Sequence, residues 1–364
     1  MPRIRGTETY SEEQDIKNTL LMREVLATLP SFCKQYFRGI ADTTSARTRL
    51  GYAYDIRTFF EFLHQNNRAL AKMEIPDFPL SVLDQLEKVD LEEYLEYLSY
   101  YEKDGKIYTN DDRGKARKLS ALRSMYHYFF TSEMIERDVS ALIAMPKKHE
   151  KAIIRLDPDE VAILLDQVEE GTALTKNQQR YHKFTKVRDV AILTLLLGTG
   201  IRVSECVGLD INDVNFKDGG IKVHRKGGYD AIVYFGDEVE EALLNYLEER
   251  HHMIPAAGHE TALFLSLQNK RMSVRSVEKM VKKYSQLVTT LKKITPHKLR
   301  STYGTNLYRE TGDIYLVADV LGHKDVNTTR RHYAAIEEDR RRSAANIVRL
   351  RREENELPSA DDNE

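Results

Sequence analysis

The sequence predicts a mainly α protein, with a helical N-terminal domain followed by an α-rich second domain that carries one small antiparallel β-sheet. Three observations predict it. Apolar residues recur at intervals of three and four over Ser45–Ala144, the period of helices with one buried face. Strict apolar/polar alternation, the period of a strand, is confined to residues 219–235. Between the halves, MPKKHEKAII (Met145–Ile154) sets a proline and a run of cations where the apolar stripe stops, which suits an exposed connection. With 364 residues, 41% apolar and 31% charged, the chain is long enough for two sizeable cores and lacks the composition of a disordered one.

The elements follow in order. Residues 11–40 supply one or two helices in SEEQDIKNTLLMREVLATL and PSFCKQYF, an extension of the first domain. In RLGYAYDIRTFFEFLHQ, Tyr52, Ile56, Phe59, Phe60 and Leu63 mark one buried helical face, and the periodicity returns in VDLEEYLEYLSYY and KLSALRSMYHYFF. DFPLS and KDGKIYTNDDRGK, rich in Pro, Gly, Asn and Asp, read as the loops between them. The first domain is placed at residues 1–145, a basic linker at 146–156 and the second domain at 157–335. That domain opens with Asp157 as N-cap, Pro158 at the first helical position and Glu160 three after the cap. Residues 170–186 read as a polar insertion that no motif explains. VAILTLLL is an apolar helix ending at GTG, where glycines permit a tight turn and close approach. GGIKVHRKGGYDAIVYF alternates on either side of Gly227 and Gly228 and predicts a β-hairpin with Lys226 at its turn. Thr295 and Pro296 open a further helix, the Leu-Gly pair of VLGHKD closes another, and Asn327–Thr329 can cap the next. Residues 336–364 hold a partial stripe (Ile336, Ala344, Ile347, Val348, Leu350) and an acidic tail.

Composition narrows the function classes. The N-terminus MPRIRGTETYSEEQ has no apolar core for a signal peptide and no run is long enough to span a bilayer, so the expected site is the cytoplasm, without a membrane anchor. Cys33 and Cys206 are the two cysteines, too few for a disulfide framework or a cysteine-rich zinc site, and are expected in the cores. A net charge of −2 counts against DNA binding, since affinity for DNA rests on Lys and Arg neutralising phosphates. The charges are segregated, however: LEKVDLEEYLEYL and DEVEEALLNYLEER are acidic, while RGKARKLSALR, MPKKHEKAIIR and DRRRSAANIVRLRR are basic. That pattern suits a polarised surface.

Six dispersed residues carry the chemistry: Arg202 in GTGIRVSE, Lys226 in HRKGG, His297 and Arg300 in TPHKLRST, His323 in LGHKD and Tyr333 in RRHYA. Two arginines present planar forks to phosphate oxygens and stay charged at physiological pH, so the set reads as a cationic phosphate clamp followed by one tyrosine. Singly, each residue has a plainer meaning. Arg202 could pair with Glu205 on the surface, His297 and Arg300 could be a solvated pair on one helix face, and Lys226 a turn residue. His323 could be a histidine favoured by a helix C-terminus, and one tyrosine among 20 is more often core. Tyr303, Tyr308 and Tyr315 have the spacing of such core residues.

The order and spacing of the whole set resembles the tyrosine recombinase (integrase) family, from about Arg155 to the C-terminus, including its His-x-Leu-Arg signature with Leu299 in place. Ser301 departs from the second histidine that many relatives carry. The resemblance implies that Tyr333 attacks a DNA phosphodiester, that Arg202, His297, Arg300 and His323 stabilise the pentavalent phosphorus, and that Lys226 protonates the leaving 5′ oxygen, with Glu205 orienting a catalytic side chain. It implies no metal and no cofactor, in keeping with the absence of a P-loop and of an Asp/Glu cluster suited to two metals. It implies double-stranded DNA with a specific recombination site as substrate, a homotetramer on DNA in the synapse, and a C-terminal helix docking on a neighbouring protomer. An accessory or activating protein is left open. The layout, with VRSVEKMVKKYSQ and TPHKLR, is most similar to Xer-type chromosome-dimer resolvases of the single-recombinase kind. An integrase or excisionase of a mobile element, a type IB topoisomerase and a non-enzymatic DNA-binding regulator are the competing readings.

In the first domain, RGKARKLSALRSMYHYF sets Arg117, Lys118 and Arg123 opposite Leu119, Leu122 and Tyr126. The face is either merely solvated or a helix that docks in a major groove. Arg47, Arg49 and Arg57 are expected to add phosphate contacts, as are the linker residues Lys147 and Lys148.

Overall fold

The computed structural model describes residues 9–147, 154–225, 228–323 and 326. Lys148, Lys226, Tyr333, the cap at Asn327–Thr329 and the stripe beyond Ile336 lie outside them. The chain forms two compact units, Met1–Lys151 and Ala152–Glu364, each described by itself.

In the first unit the helices are α1 (Tyr10–Leu26), α2 (Cys33–Gly39), α3 (Ala46–Asn66), α4 (Val82–Gln85), α5 (Lys88–Tyr97) and α6 (Asp112–Thr131). Local chemistry starts them: Thr9 and Glu12 form a capping box on α1, Ser45 accepts from the Thr48 amide, and Asp111 accepts from the Gly114 amide. The periodic residues of α3 face inward, with Ile56, Phe59, Phe60 and Leu63 all buried. Around them the core is aromatic. Phe59 meets Tyr94 edge to face at 5.1 Å, and Phe32 meets Phe129 at 5.5 Å, geometry favoured by the ring quadrupoles.

One loop is corrected. β1 (Tyr101–Lys103), which starts at the last residue of the run read as helical, and β2 (Lys106–Tyr108), inside the segment read as connection, pair antiparallel, Tyr101 opposite Tyr108. Asp104 and Gly105, at φ 51° and 68°, make the two-residue turn whose left-handed residues match strand twist.

The second unit is built on α7 (Pro158–Glu170), α8 (Lys176–Thr199) and α9 (Val203–Gly208). A three-stranded antiparallel sheet follows, in the order β3 (Val214–Asn215), β4 (Gly220–Arg225), β5 (Tyr229–Tyr234). Then come α10 (Asp237–His251), α11 (Val274–Val288), α12 (Pro296–Thr311) and α13 (Ile314–Leu321). Asp157 and Glu160 form the capping box expected at the start of α7. α8 is the central helix, packed on α7, α10 and α12, with Ala191, Ile192, Leu193, Leu195 and Leu196 buried. The polar stretch read as an insertion is largely its first turns, opened by a capping box of Thr175 and Gln178. Polarity there reflects exposure of that end, with His182 turned inward to hydrogen-bond the Val168 carbonyl at 2.7 Å. The hairpin falls as predicted, β4 and β5 in register from Gly220–Tyr234 to Arg225–Tyr229. Among the described residues no helix is long and apolar enough to cross a membrane, and no group of three or more His, Cys, Asp or Glu is arranged to hold a metal ion.

Candidate active site and nucleic-acid interface

α8 ends because Gly200 adopts the left-handed conformation, φ 63°, which glycine enters without steric cost. A side chain there would also collide with Tyr303, 2.4 Å from an added Cβ. The chain turns, and Arg202 becomes the residue that caps α9. Its amide donates to Glu205 Oε2 at 2.8 Å and its Nη1 to Oε1 at 2.7 Å. The Glu205 side chain is 3% exposed against 31% for Arg202. The pair is therefore no loose surface bridge: a buried carboxylate holds the backbone amide and the guanidinium of a partly exposed arginine.

Arg300, one turn into α12 and buried, donates through Nη1 to the Gly200 carbonyl at 2.5 Å and through Nη2 to the Leu321 carbonyl. Arg202 Nη2 reaches the Gly322 carbonyl at 3.4 Å. A third arginine, Arg225 at the end of β4, donates to the carbonyls of Asp319 at 3.3 Å and Val320 at 2.8 Å. Three guanidinium groups thus converge on one turn, Asp319–Gly322. The turn attracts them because the last carbonyls of a helix have no intrahelical partner and carry the negative end of its dipole. Gly322 closes α13 with φ 61°, and His323 follows, half-buried, its amide donating to the Ala318 carbonyl at 2.9 Å. His297 is exposed and precedes Arg300 by three residues on α12.

The structure therefore brings together Arg202, Glu205, Arg300 and the His323 turn, and sets His297 on the helix that supplies Arg300. Arg225 was not among the residues singled out from the sequence. Its signal was there: Ile221, Val223 and Arg225 occupy the inward positions of an alternating strand and all are buried, so the arginine stands where an apolar residue is expected. Cys206 is buried, and burial with the neighbouring Glu205 charge pushes its thiol up to about 12, the opposite of the lowered value a reactive cysteine carries.

The cations of the first unit separate into two kinds. Arg47 and Lys147 are exposed. Arg117, its side chain 57% exposed, holds Asp55 Oδ1 at 2.6 Å. Arg57 lies over the Tyr54 ring, 5.1 Å from its centroid, and 3.7 Å from Glu61. Three others are corrected. Lys118 is buried, not solvated, because Asp55 on α3 is fully buried and takes its ammonium at 3.1 Å; an unpaired carboxylate there would be costly. Burial nonetheless leaves Asp55 above the usual carboxylate range, with Lys118 and Arg117 opposing that rise. Arg123 donates to the carbonyls of Ser140, at 3.3 Å, and Ile143. Arg49 donates to those of Ala41, at 2.6 Å, and Thr44. Both arginines fasten loops to helices.

Comparison with known proteins agrees with this geometry. The sequence profile of the Phage integrase family matches residues 155–340. Tyrosine recombinase XerS of Lactococcus lactis subsp. cremoris (strain SK11) is 30% identical over 366 residues, covering 90% of this chain and 98% of its own. Tyrosine recombinase XerC of Chlorobaculum tepidum is 30% identical over 334 residues, covering 89% and 93%. Among solved structures, XerH site-specific recombinase bound to palindromic difH substrate, a post-cleavage complex, superposes with a TM-score of 0.62 at 17% identity, covering 93% of this chain and 96% of that one. A lambda integrase tetramer bound to a Holliday junction gives 0.58 at 18% identity, covering 83% and 77%. These two likenesses are of fold.

Proposed function

This chain is a tyrosine recombinase of the phage integrase family, and from that premise we propose that Tyr333 is the nucleophile of its site-specific strand exchange and that the exchange resolves chromosome dimers. The observation that carries the assignment of the site is the convergence of Arg202 and Arg300 on the Leu321–Gly322 turn, one residue before His323. In this reading the two guanidinium groups and the two histidines, His297 and His323, take the non-bridging oxygens of a scissile phosphate. Negative charge grows on those oxygens as phosphorus becomes pentavalent, so donors fixed in advance stabilise the transition state more than the ground state. Carbonyl oxygens of the α13 turn hold the guanidinium forks in place, and the Arg202 side chain as a whole stays partly exposed.

The tyrosine hydroxyl gives its proton up to solvent and its oxygen forms a bond to phosphorus as the bond to the 5′ oxygen breaks, and Lys226 supplies the proton that the departing oxygen needs. The 3′-phosphotyrosine retains the energy of the original diester. A 5′ hydroxyl from a second duplex can then reverse the step on a new partner, without ATP. Exchange between two duplexes calls for four protomers on double-stranded DNA. In the first unit Arg47 on α3 and Arg117 on α6 are the accessible phosphate contacts, with Lys147 and Lys148 from the basic linker sequence. A chromosomal substrate places the enzyme in the cytoplasm. The dimer-resolution role is supported by the near-complete coverage of the curated Xer recombinases.

Covalent trapping tests the whole assignment. Incubated with a nicked duplex carrying the host's chromosome-dimer site, the wild-type protein should form a denaturation-resistant adduct and Tyr333→Phe should not. Adduct from the Phe variant would remove Tyr333 from the reaction. Adduct only on the ends of a mobile element would replace chromosome-dimer resolution with integration.

A further inference from the structure

Arg225 has no part in the reaction as proposed, yet it is 8% exposed, and its surroundings are unusual for an arginine. Both terminal nitrogens donate to α13 carbonyls. Its Nε is buried without a partner among the described residues. The side chain presses close against Gly322, so that a Cβ on that glycine would stand 1.8 Å from Nη1, 2.6 Å from Cζ and 3.1 Å from Cδ. A buried cation beside two further guanidinium groups is disfavoured on charge alone, and an apolar side chain would fill the inward position of β4 at less cost. What arginine adds is a rigid, two-pronged tie between the end of a strand and the end of a helix.

The place of that tie gives it meaning. β4 ends at Arg225, and Lys226 is the next residue in the chain. The turn that Arg225 grips is the one on which Arg202 and Arg300 converge. We propose that Arg225 is a positioning residue for the proton donor: it locks the last strand residue before Lys226 to the α13 turn, fixing the start of the hairpin turn relative to the phosphate clamp. The inference rests on Lys226 being the general acid. Proton transfer demands a donor within hydrogen-bond reach of the leaving oxygen, and a hairpin free to pivot at its end would lose that registry while the clamp stayed intact.

The chemistry supplies a selective test. If the bridging 5′ oxygen of a nicked duplex is replaced by sulfur, the tyrosine–phosphorus bond forms as the phosphorus–sulfur bond breaks. The group then departs as a thiolate, which needs no proton from the enzyme because a thiol, with a pKa of about 8.5, is a far stronger acid than the alcohol it replaces. Single-turnover adduct formation is measured on oxygen and sulfur duplexes for wild type, Arg225→Gln, Arg225→Lys and Lys226→Ala, with duplex affinity measured alongside. Loss of a general acid costs on the order of 100-fold or more.

Arg225→Gln should therefore bind DNA within about 3-fold of wild type, cleave the oxygen duplex on the order of 100-fold more slowly, and return to within a few-fold on the sulfur duplex, as Lys226→Ala does. An equal deficit on both duplexes would mean that Arg225 acts through the phosphate clamp and would overturn the proposal. So would a fall in affinity that accounts for the fall in rate. Failure of sulfur to restore Lys226→Ala would remove the lysine as acid and the proposal with it, a result visible in that variant alone. Should Arg225→Gln not fold, Arg225→Lys keeps the charge, loses the two-pronged tie and must show the same selective recovery.

Discussion

Glu205 and Lys118 show how a charge acquires its role from a partner. Glu205 is buried and spends both oxygens on Arg202, so it fixes the guanidinium while lowering its net charge. Glu205→Gln keeps an acceptor but releases the Nη1 contact and the ionic pull. Single-turnover cleavage should fall by about 10- to 100-fold, with duplex affinity within a few-fold, as expected for a donor displaced from its transition-state position; a loss confined to affinity would refute the orienting role. Lys118 answers Asp55 across the first core. Lys118→Met leaves the buried Asp55 carboxylate to Arg117 alone and should destabilise the first unit by about 1–3 kcal/mol, whereas adding Asp55→Asn should restore most of that. Chemical denaturation of the single and double variants measures it, and additive losses would show that the pair is not coupled. The sequence could not display this pair, because its members are 63 positions apart and helical periodicity says only that Lys118 borders an apolar face.

Helices and turns show which glycines matter for position and which only for shape. Gly105 turns the β1–β2 hairpin at φ 68° with nothing within 4 Å of an added Cβ. Gly105→Ala should cost about 1–2 kcal/mol of backbone strain and leave cleavage unchanged. Gly200 has φ 63° and Tyr303 against it, and its carbonyl receives Arg300. Gly200→Ala should cost at least as much stability and also slow adduct formation by more than about 10-fold, since one contact steers a clamp residue. Thermal melts beside single-turnover rates separate the two, and equal effects on rate would show that the turn does not position Arg300. Both hairpins carried their signals in the sequence. The Gly227–Gly228 pair is legible because long alternating runs flank it, and the Asp104–Gly105 pair is not, because three-residue strands are too short to show a period.

At the scale of the whole chain, the proposed function gives recognition to the first unit and chemistry to the second, and that chemistry is transesterification at phosphorus. In that proposal guanidinium groups meet the charge that a metal would otherwise take. Strand cleavage should therefore proceed undiminished in excess EDTA with magnesium omitted, as read by adduct yield; abolition by the chelator and rescue by a divalent ion would contradict a clamp made of side chains.

Much of this was written in the order of residues. The sequence by itself determined the helical periods, the caps at Asp157 and Thr295, the long hairpin and the spaced set from Arg202 to Tyr333, because each depends on neighbours a few positions away or on motif order. Tertiary structure alone decided that Arg202, Arg225 and Arg300 meet on the last turn of α13, that Lys118 is spent on Asp55, and that Arg49 and Arg123 bind carbonyls. Those outcomes are settled by which buried oxygen a cation reaches once the helices have packed, and packing joins residues that the chain keeps up to 120 positions apart.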